Sequence, residues 1–218
     1  MTNKEILTKI DYTRLNAAST EEEIFALCDK AVQYSTASVC IPPRFVSEVR
    51  AKYPQLNICT VIGFPLGYNT TAVKVFEAAE AIREGADEID MVICVGDAKS
   101  ARFDEITAEI AAVKQAVGGK ILKVIIEACY LDEAEKTALC SCVTKGGADY
   151  IKTSTGFGSG GATFGDVQLF AENIGENVKI KAAGGIRTPE DMECYLKLGC
   201  SRIGASEGGV KPLLNAES

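Results

Sequence analysis

Two lysines and an aspartate stand where apolar runs give way to polar loops. Lys152 closes the run Gly147-Ala148-Asp149-Tyr150-Ile151-Lys152 and is followed by Thr153-Ser154-Thr155-Gly156-Phe157-Gly158. The first run reads as a short buried strand and the second as a polar, glycine-containing loop. An ammonium at such a junction must be paired, solvated or deprotonated. Deprotonated, it is a nucleophile toward carbonyls. Lys181 comes late in the next strand-like run, and consecutive parallel strands would be neighbours ~4.8 Å apart. Two inward ammonium groups at that range repel, which is expected to lower the pKa of one of them. Asp90 closes an equivalent run and would balance the remaining positive charge and move protons. Lys123 lies inside its strand and shares side-chain parity with Ile125 and Glu127. Any one of these lysines is most simply a rim charge in a salt bridge. Two on consecutive strands, with an aspartate on the same rim, favour function.

The elements that would position these residues repeat along the chain. Gly85-Ala86-Asp87-Glu88-Ile89-Asp90, the run ending at Lys152, and Gly199-Cys200-Ser201-Arg202-Ile203-Gly204 share one pattern. Each has a glycine suited to a helix C-terminus and then enters a strand. Equivalent units would place Asp90, Lys152 and Gly204 on one rim. Residues 37–41, 58–62, 121–126 and 178–182 read as further strands, and 10–13 as a very short first one. Ile106, Ile110, Val113 and Val117 fall on one helical face. Thr188-Pro189-Glu190-Asp191 is a helix start, with Thr188 as the N-cap. About eight strands alternating with helices predict an α/β chain, a single (β/α)8 TIM barrel over residues 1–218 with a short N-terminal helix. An open doubly wound sheet is the alternative, because periodicity does not show closure.

Anion recognition has separate candidates. Gly184-Gly185 and the run Gly204-Ala205-Ser206-Glu207-Gly208-Gly209 follow late strands, where backbone N–H groups of such barrels commonly hold phosphate. The null alternative is that these glycines only make tight turns. Residues 156–161 lack the Lys-Ser/Thr ending of a P-loop and the spacing of a dinucleotide fingerprint. Cys40, before Pro42-Pro43, is either a site thiol or a buried core residue, the latter being the more common.

Composition narrows the classes. The 218 residues carry a net charge of −7, which argues against nucleic acid or an anionic membrane as the main partner. No apolar run approaches ~20 residues, so no membrane span is expected, and the N-terminus lacks a signal-peptide core. Nine cysteines without zinc-type spacing point to a reducing cytosol, hence a cytoplasmic protein. The absence of histidine removes the usual general base and the commonest metal ligand.

Four segments in order carry a resemblance: Glu88-Ile89-Asp90-Met91-Val92, Lys123-Val124-Ile125-Ile126-Glu127, Ile151-Lys152-Thr153-Ser154-Thr155-Gly156-Phe157 and the eight residues from Lys181 to Thr188. Over nearly its whole length the chain resembles the deoxyribose-phosphate aldolases, a Schiff-base-forming (class I) family. The resemblance implies a βα barrel that reversibly cleaves 2-deoxy-D-ribose 5-phosphate to D-glyceraldehyde 3-phosphate and acetaldehyde, in deoxyribonucleoside catabolism. It implies Lys152 as the Schiff-base lysine, Lys181 as the second lysine and Asp90 as the carboxylate of a water-assisted proton relay. Lys123 would support Asp90. Apart from the resemblance, Asp11 and Cys40 are taken as further candidate supporting residues. Gly156, Gly184, Gly185 and Ser206 would hold the phosphate. No metal or organic cofactor is implied.

The chain departs from the family pattern in places. Tyr12 stands in Asp11-Tyr12-Thr13 where the family usually has histidine, Cys94 where asparagine is expected, and Glu207 within the phosphate loop. A desolvated carboxylate facing a phosphate dianion would be unfavourable by several kcal/mol, and by much less if Glu207 points to water. Residues 213–218 hold no tyrosine to close over the site. Alternative readings are an aldolase for a different or unphosphorylated aldehyde, a non-catalytic phosphosugar-binding barrel, and a phosphosugar isomerase. A homodimer is the default expectation, closed two-fold symmetry being commonest.

Overall fold

Each of the three repeated glycines leaves a helix and turns the chain into a strand. Gly85, Gly147 and Gly199 have φ of 109°, 75° and 106°, a left-handed backbone that would strain any side chain. The computed structural model describes residues 1–215. Residues 216–218, the end of the segment expected to lack a closing tyrosine, lie outside the described residues. Helix α1 (Asn3–Leu7) is followed by β1 (Ile10–Thr13), α2 (Glu21–Tyr34), β2 (Ser38–Ile41), α3 (Val46–Lys52) and β3 (Ile58–Ile62). Then come α4 (Thr71–Arg83), β4 (Glu88–Val92), α5 (Val95–Lys99), α6 (Phe103–Val117), β5 (Ile121–Ile125) and α7 (Glu133–Lys145). The chain ends with β6 (Tyr150–Lys152), α8 (Phe164–Asn173), β7 (Lys179–Ala183), α9 (Pro189–Lys197), β8 (Cys200–Ala205) and α10 (Glu207–Asn215). The strands pair in parallel in sequence order, and β1 pairs with β8 to close the barrel. Closure excludes the open sheet.

Local chemistry accounts for the boundaries. Thr2, Thr20 and Asp132 each cap a helix reciprocally with a glutamate three residues on, satisfying first-turn N–H groups. Thr188 caps α9 by accepting from the Asp191 N–H at 3.1 Å, with Pro189 in the first turn. Ile106, Ile110, Val113 and Val117 are all buried on one face of α6. The short helix α5 and the 3-10 turns at 43–45 and 128–130 were not foreseen. They carry no periodic signal.

Two kinds of core result from strand alternation. Outward-facing Ile10, Val39, Ile41, Ile58, Ile62, Ile89 and Met91 are buried beneath the helices. The inward set is polar. Parallel register pairs Asp11 with Ser38, Cys59 with Glu88, Asp90 with Lys123, Lys123 with Tyr150, Lys152 with Lys181, and Lys181 with Arg202. Alternate strands of such a barrel contribute to common layers. Cys40, Asp90, Lys152 and Gly204 therefore form one layer, with Asp11, Cys59, Lys123 and Lys181 beneath it, and Ser38, Glu88, Tyr150 and Arg202 below those. The expected shared level of Asp90, Lys152 and Gly204 is the first of these layers.

An ionic pair is also buried outside the barrel. Lys74 of α4 donates to Glu109 of α6 at 2.8 Å, with both side chains almost wholly inaccessible. Breaking such a pair strands a buried charge, so Glu109→Ala should lower the unfolding free energy by about 3–5 kcal/mol. Lys74→Met combined with Glu109→Leu should come within about 1 kcal/mol of the parent. Urea unfolding monitored by circular dichroism checks both.

Candidate active site

The inward parity that places Asp90 on β4 also places Glu88, and that of Gly204 on β8 also places Arg202. These side chains meet around one carboxylate. Asp90 Oδ2 accepts from Lys152 Nζ and from Lys181 Nζ, each at 2.7 Å. Its Oδ1 accepts from Lys123 Nζ at 2.9 Å and from the Cys59 thiol at 3.2 Å. Lys181 also lies 2.5 Å from Asp11 Oδ2, and Lys123 lies 2.5 Å from Glu88 Oε2. Arg202 completes the base of the network by pairing with both Asp11 and Glu88.

Burial disfavours every charge here, and the partners decide the outcome. Burial opposes the carboxylate of Asp90, but Lys123, Lys152 and Lys181 together hold its pKa well below the ordinary aspartate value. Asp11 is likewise held down against burial by Lys181, Lys123 and Arg202. Burial also opposes the charge on Lys181, but Asp11 and Asp90 outweigh it and raise its pKa above the usual lysine value. Lys123 is raised in the same way by Asp90, Cys59, Asp11 and Glu88. The expectation that Lys152 and Lys181 simply repel therefore needs correction. They are register partners, but Asp90 Oδ2 bridges them.

Charge count and access then separate the lysines. Within the layers, four cations (Lys123, Lys152, Lys181, Arg202) face three carboxylates (Asp11, Glu88, Asp90). Neutralising one amine balances the interior. Lys123 and Lys181 are wholly inaccessible, whereas Lys152 is 3% exposed and lines a cavity of about 660 Å³ at the C-terminal mouth of the barrel. Among the described residues, Lys152 has Asp90 as its one ionic partner.

The same cavity receives the expected anion-binding residues. Gly156, Gly184, Gly185 and Ser206 all line it. Ser206 stands at the start of α10, its carbonyl accepting from Gly209 N and Val210 N at 3.0 Å each, so the first-turn N–H groups of that helix belong to this end of the cavity. The loop after β6 packs tightly on Gly184, where a Cβ at Gly161 would sit 2.2 Å from the Gly184 carbonyl oxygen. Cys40 is buried beside Cys59 and Val61 and does not line the cavity.

Several site residues escape a reading by sequence. Glu127, with a left-handed φ of 51°, accepts from Thr155 N at 3.0 Å and from the Thr155 hydroxyl, fixing the loop that carries Gly156. Arg14, Lys30 and Arg187 bring cations to the mouth, Arg14 paired with Glu23 and Lys30 with Glu207. Burial and the neighbouring Glu207 push the Tyr12 phenol up to about 12, so it remains protonated at neutral pH. Glu88 and Arg202 were findable by extending parity two residues back. Lys30 was not, because it approaches from a helix 177 positions away from Glu207. Cys59 forms donor clusters with Cys40 and Asp90 and with Asp11 and Glu88, and Lys123 Nζ stands among them, 3.3 Å from Cys59 Sγ, 2.9 Å from Asp90 and 2.5 Å from Glu88.

Comparison with known proteins places this geometry. The DeoC/LacD family aldolase model matches residues 6–216. The deoxyribose-phosphate aldolase of Clostridium botulinum (strain Eklund 17B / Type B) is 54% identical over 207 residues, 94% of each chain. That of Clostridioides difficile (strain 630) is 54% identical over 93% of each. Among solved structures, the deoxyribose phosphate aldolase from Aeropyrum pernix, described as a unique tetramer, superposes with a TM-score of 0.88 at 29% identity. It covers 100% of this chain and 93% of that one. An aldolase designated QR15 gives 0.92 at 34% identity, over 98% and 96%.

The Asp11 shift has a consequence for stability. Its folded pKa lies below the unfolded value of about 3.9, so its contribution is complete above that pH and is lost as pH falls through the folded value. Asp11→Asn should lower stability at pH 7 and flatten the loss of stability between about pH 5 and pH 2. Urea unfolding at several pH values measures both effects.

Proposed function

The chain belongs to the DeoC/LacD family of aldolases, and from that premise we propose that it cleaves 2-deoxy-D-ribose 5-phosphate reversibly to D-glyceraldehyde 3-phosphate and acetaldehyde, with Lys152 as the nucleophile. The observation that carries this reading is that Lys152 alone of the three clustered lysines reaches the cavity.

The chemistry follows from the partners. A neutral Lys152 amine adds to the C1 aldehyde of the open-chain sugar, and loss of water gives a protonated imine. A base removes the C3 hydroxyl proton. The C2–C3 bonding electrons flow into the imine to give a neutral enamine, and the three-carbon aldehyde leaves. Protonation at C2 and hydrolysis release acetaldehyde and restore Lys152. Asp90 remains ionised and orients both Lys152 and Lys181 through one oxygen. Lys181, held protonated, is the proton reservoir beside it. Proton transfer at C3 and C2 runs through Asp90, Lys181 and water. Lys123 fixes Asp90 from the layer beneath, Asp11 pairs with Lys181 within that layer, and Cys40 packs beside Cys59. No metal or organic cofactor is called for in these steps.

Gly156, Gly184, Gly185 and Ser206 are proposed to hold the phosphate. Their left-handed φ values at the glycines and the start of α10 support this. Lys152 and these residues line one cavity. Nine free cysteines suit the cytoplasm, and no described helix is long and apolar enough to cross a membrane. A homodimer of single-domain chains is proposed, supported by exposed Leu66, Tyr68, Val73 and Phe76 in and before α4. Small sugar phosphates and acetaldehyde, rather than nucleic acid, are the proposed partners.

Product analysis tests the function. Incubation with deoxyribose 5-phosphate should release acetaldehyde and glyceraldehyde 3-phosphate in equal amounts, read by coupled reduction with NADH. Lys152→Ala should reduce this to background. Asp90→Asn should lower kcat by about 10²–10⁴-fold with a smaller change in KM. An active Lys152→Ala variant would overturn the assignment.

A further inference from the structure

The end of the cavity beside Ser206 holds an acidic group where an anion would bind. Glu207, the first residue of α10, follows Ser206 directly and lines the cavity with Gly185 and Gly208. A carboxylate there would repel a phosphate dianion. Its charge is met from a neighbouring unit of the barrel: Lys30 of α2, which follows β1 beside β8, pairs with Glu207. Lys30 and Arg14 both hold the Glu207 carboxyl below the usual glutamate range. Neither member of the pair is fixed, for their side chains are 39% and 57% exposed. Arg14 also lines the cavity, its guanidinium paired with Glu23 and its buried Nε without a hydrogen-bond partner.

These features define an exchangeable counter-ion. A solvent-exposed ion pair on two long stems is held weakly, while a phosphate dianion offers Lys30 more charge and three acceptor oxygens. We propose that Lys30 is a specificity-determining residue that releases Glu207 and takes the substrate's phosphate, Glu207 being its counter-ion in the empty site. This rests on the sugar-phosphate cleavage proposed above. It makes discrimination between phosphorylated and free deoxyribose a property of a side-chain pair as well as of the glycine loops. Glu207 then swings toward water instead of facing the dianion.

The test compares cleavage of deoxyribose 5-phosphate and free 2-deoxyribose by the parent, Lys30→Met, Glu207→Gln and the double variant. Lys30→Met should raise KM for the phosphorylated sugar about tenfold in either background, with kcat and free-sugar cleavage unchanged. Glu207→Gln should lower that KM several-fold. The proposal is overturned if Lys30→Met has no effect in the Glu207→Gln background, because Lys30 then only neutralises Glu207. An unchanged KM in Glu207→Gln, or equal losses on both sugars, also overturns it. Should the parent cleave neither sugar, the functional reading falls by itself, and calorimetric titration with inorganic phosphate decides the pair. Weaker binding by the double variant than by Glu207→Gln then supports the exchange, and equal or undetectable binding in that pair overturns it.

Discussion

One buried carboxylate shared by three ammonium groups organises this molecule. Asp90 accepts from Lys123, Lys152 and Lys181, and its removal would leave ammonium groups stranded in a region closed to water. The barrel interior is therefore an ionic lattice extending downward through Asp11, Glu88 and Arg202. A lattice of this kind is weak as a source of stability, because desolvation offsets much of its attraction. Stability has to come from the other face of the strands, where isoleucines and valines pack beneath the helices. The division of labour follows from strand alternation: the outward residues hold the barrel together, and the inward ones set the protonation states.

The same lattice distinguishes three chemically identical side chains. Lys123 and Lys181 each touch at least two carboxylates and are closed off, so their protons are held. Lys152 has one ionic partner, which it shares, and it opens to the cavity. Access to the cavity is what supports the proposal that Lys152 is the nucleophile. Asp90 is held low and Lys181 high, and the proposed proton relay through this pair calls for no histidine.

Much of this was legible in the sequence. The glycine-led runs gave the strand equivalence of Asp90, Lys152 and Gly204, and register confirms it as one layer. Even the four-residue strand at Ile10–Thr13 formed as read. Closure was not legible, since periodicity is the same in an open sheet. Nor was the bridging of Lys152 and Lys181: adjacency in sequence order implies repulsion, and only the tilt of the strands brings Asp90, two strands from Lys152, between them. Of the two readings of Cys40, the more common one holds: its side chain is buried beside Cys59 and away from the cavity. Glu127 depends on a single left-handed residue, and Lys30 on the closure that sets β1 and its helix α2 beside β8, and neither leaves a local pattern.

The assignment of one reactive amine among three is open to covalent capture. Incubation with acetaldehyde and borohydride would reduce any imine to a stable secondary amine, and peptide mass mapping would locate it. The account predicts a single adduct, on Lys152, with Lys123 and Lys181 unmodified. An adduct on Lys181, or none on any lysine under conditions where the protein is folded, would contradict it.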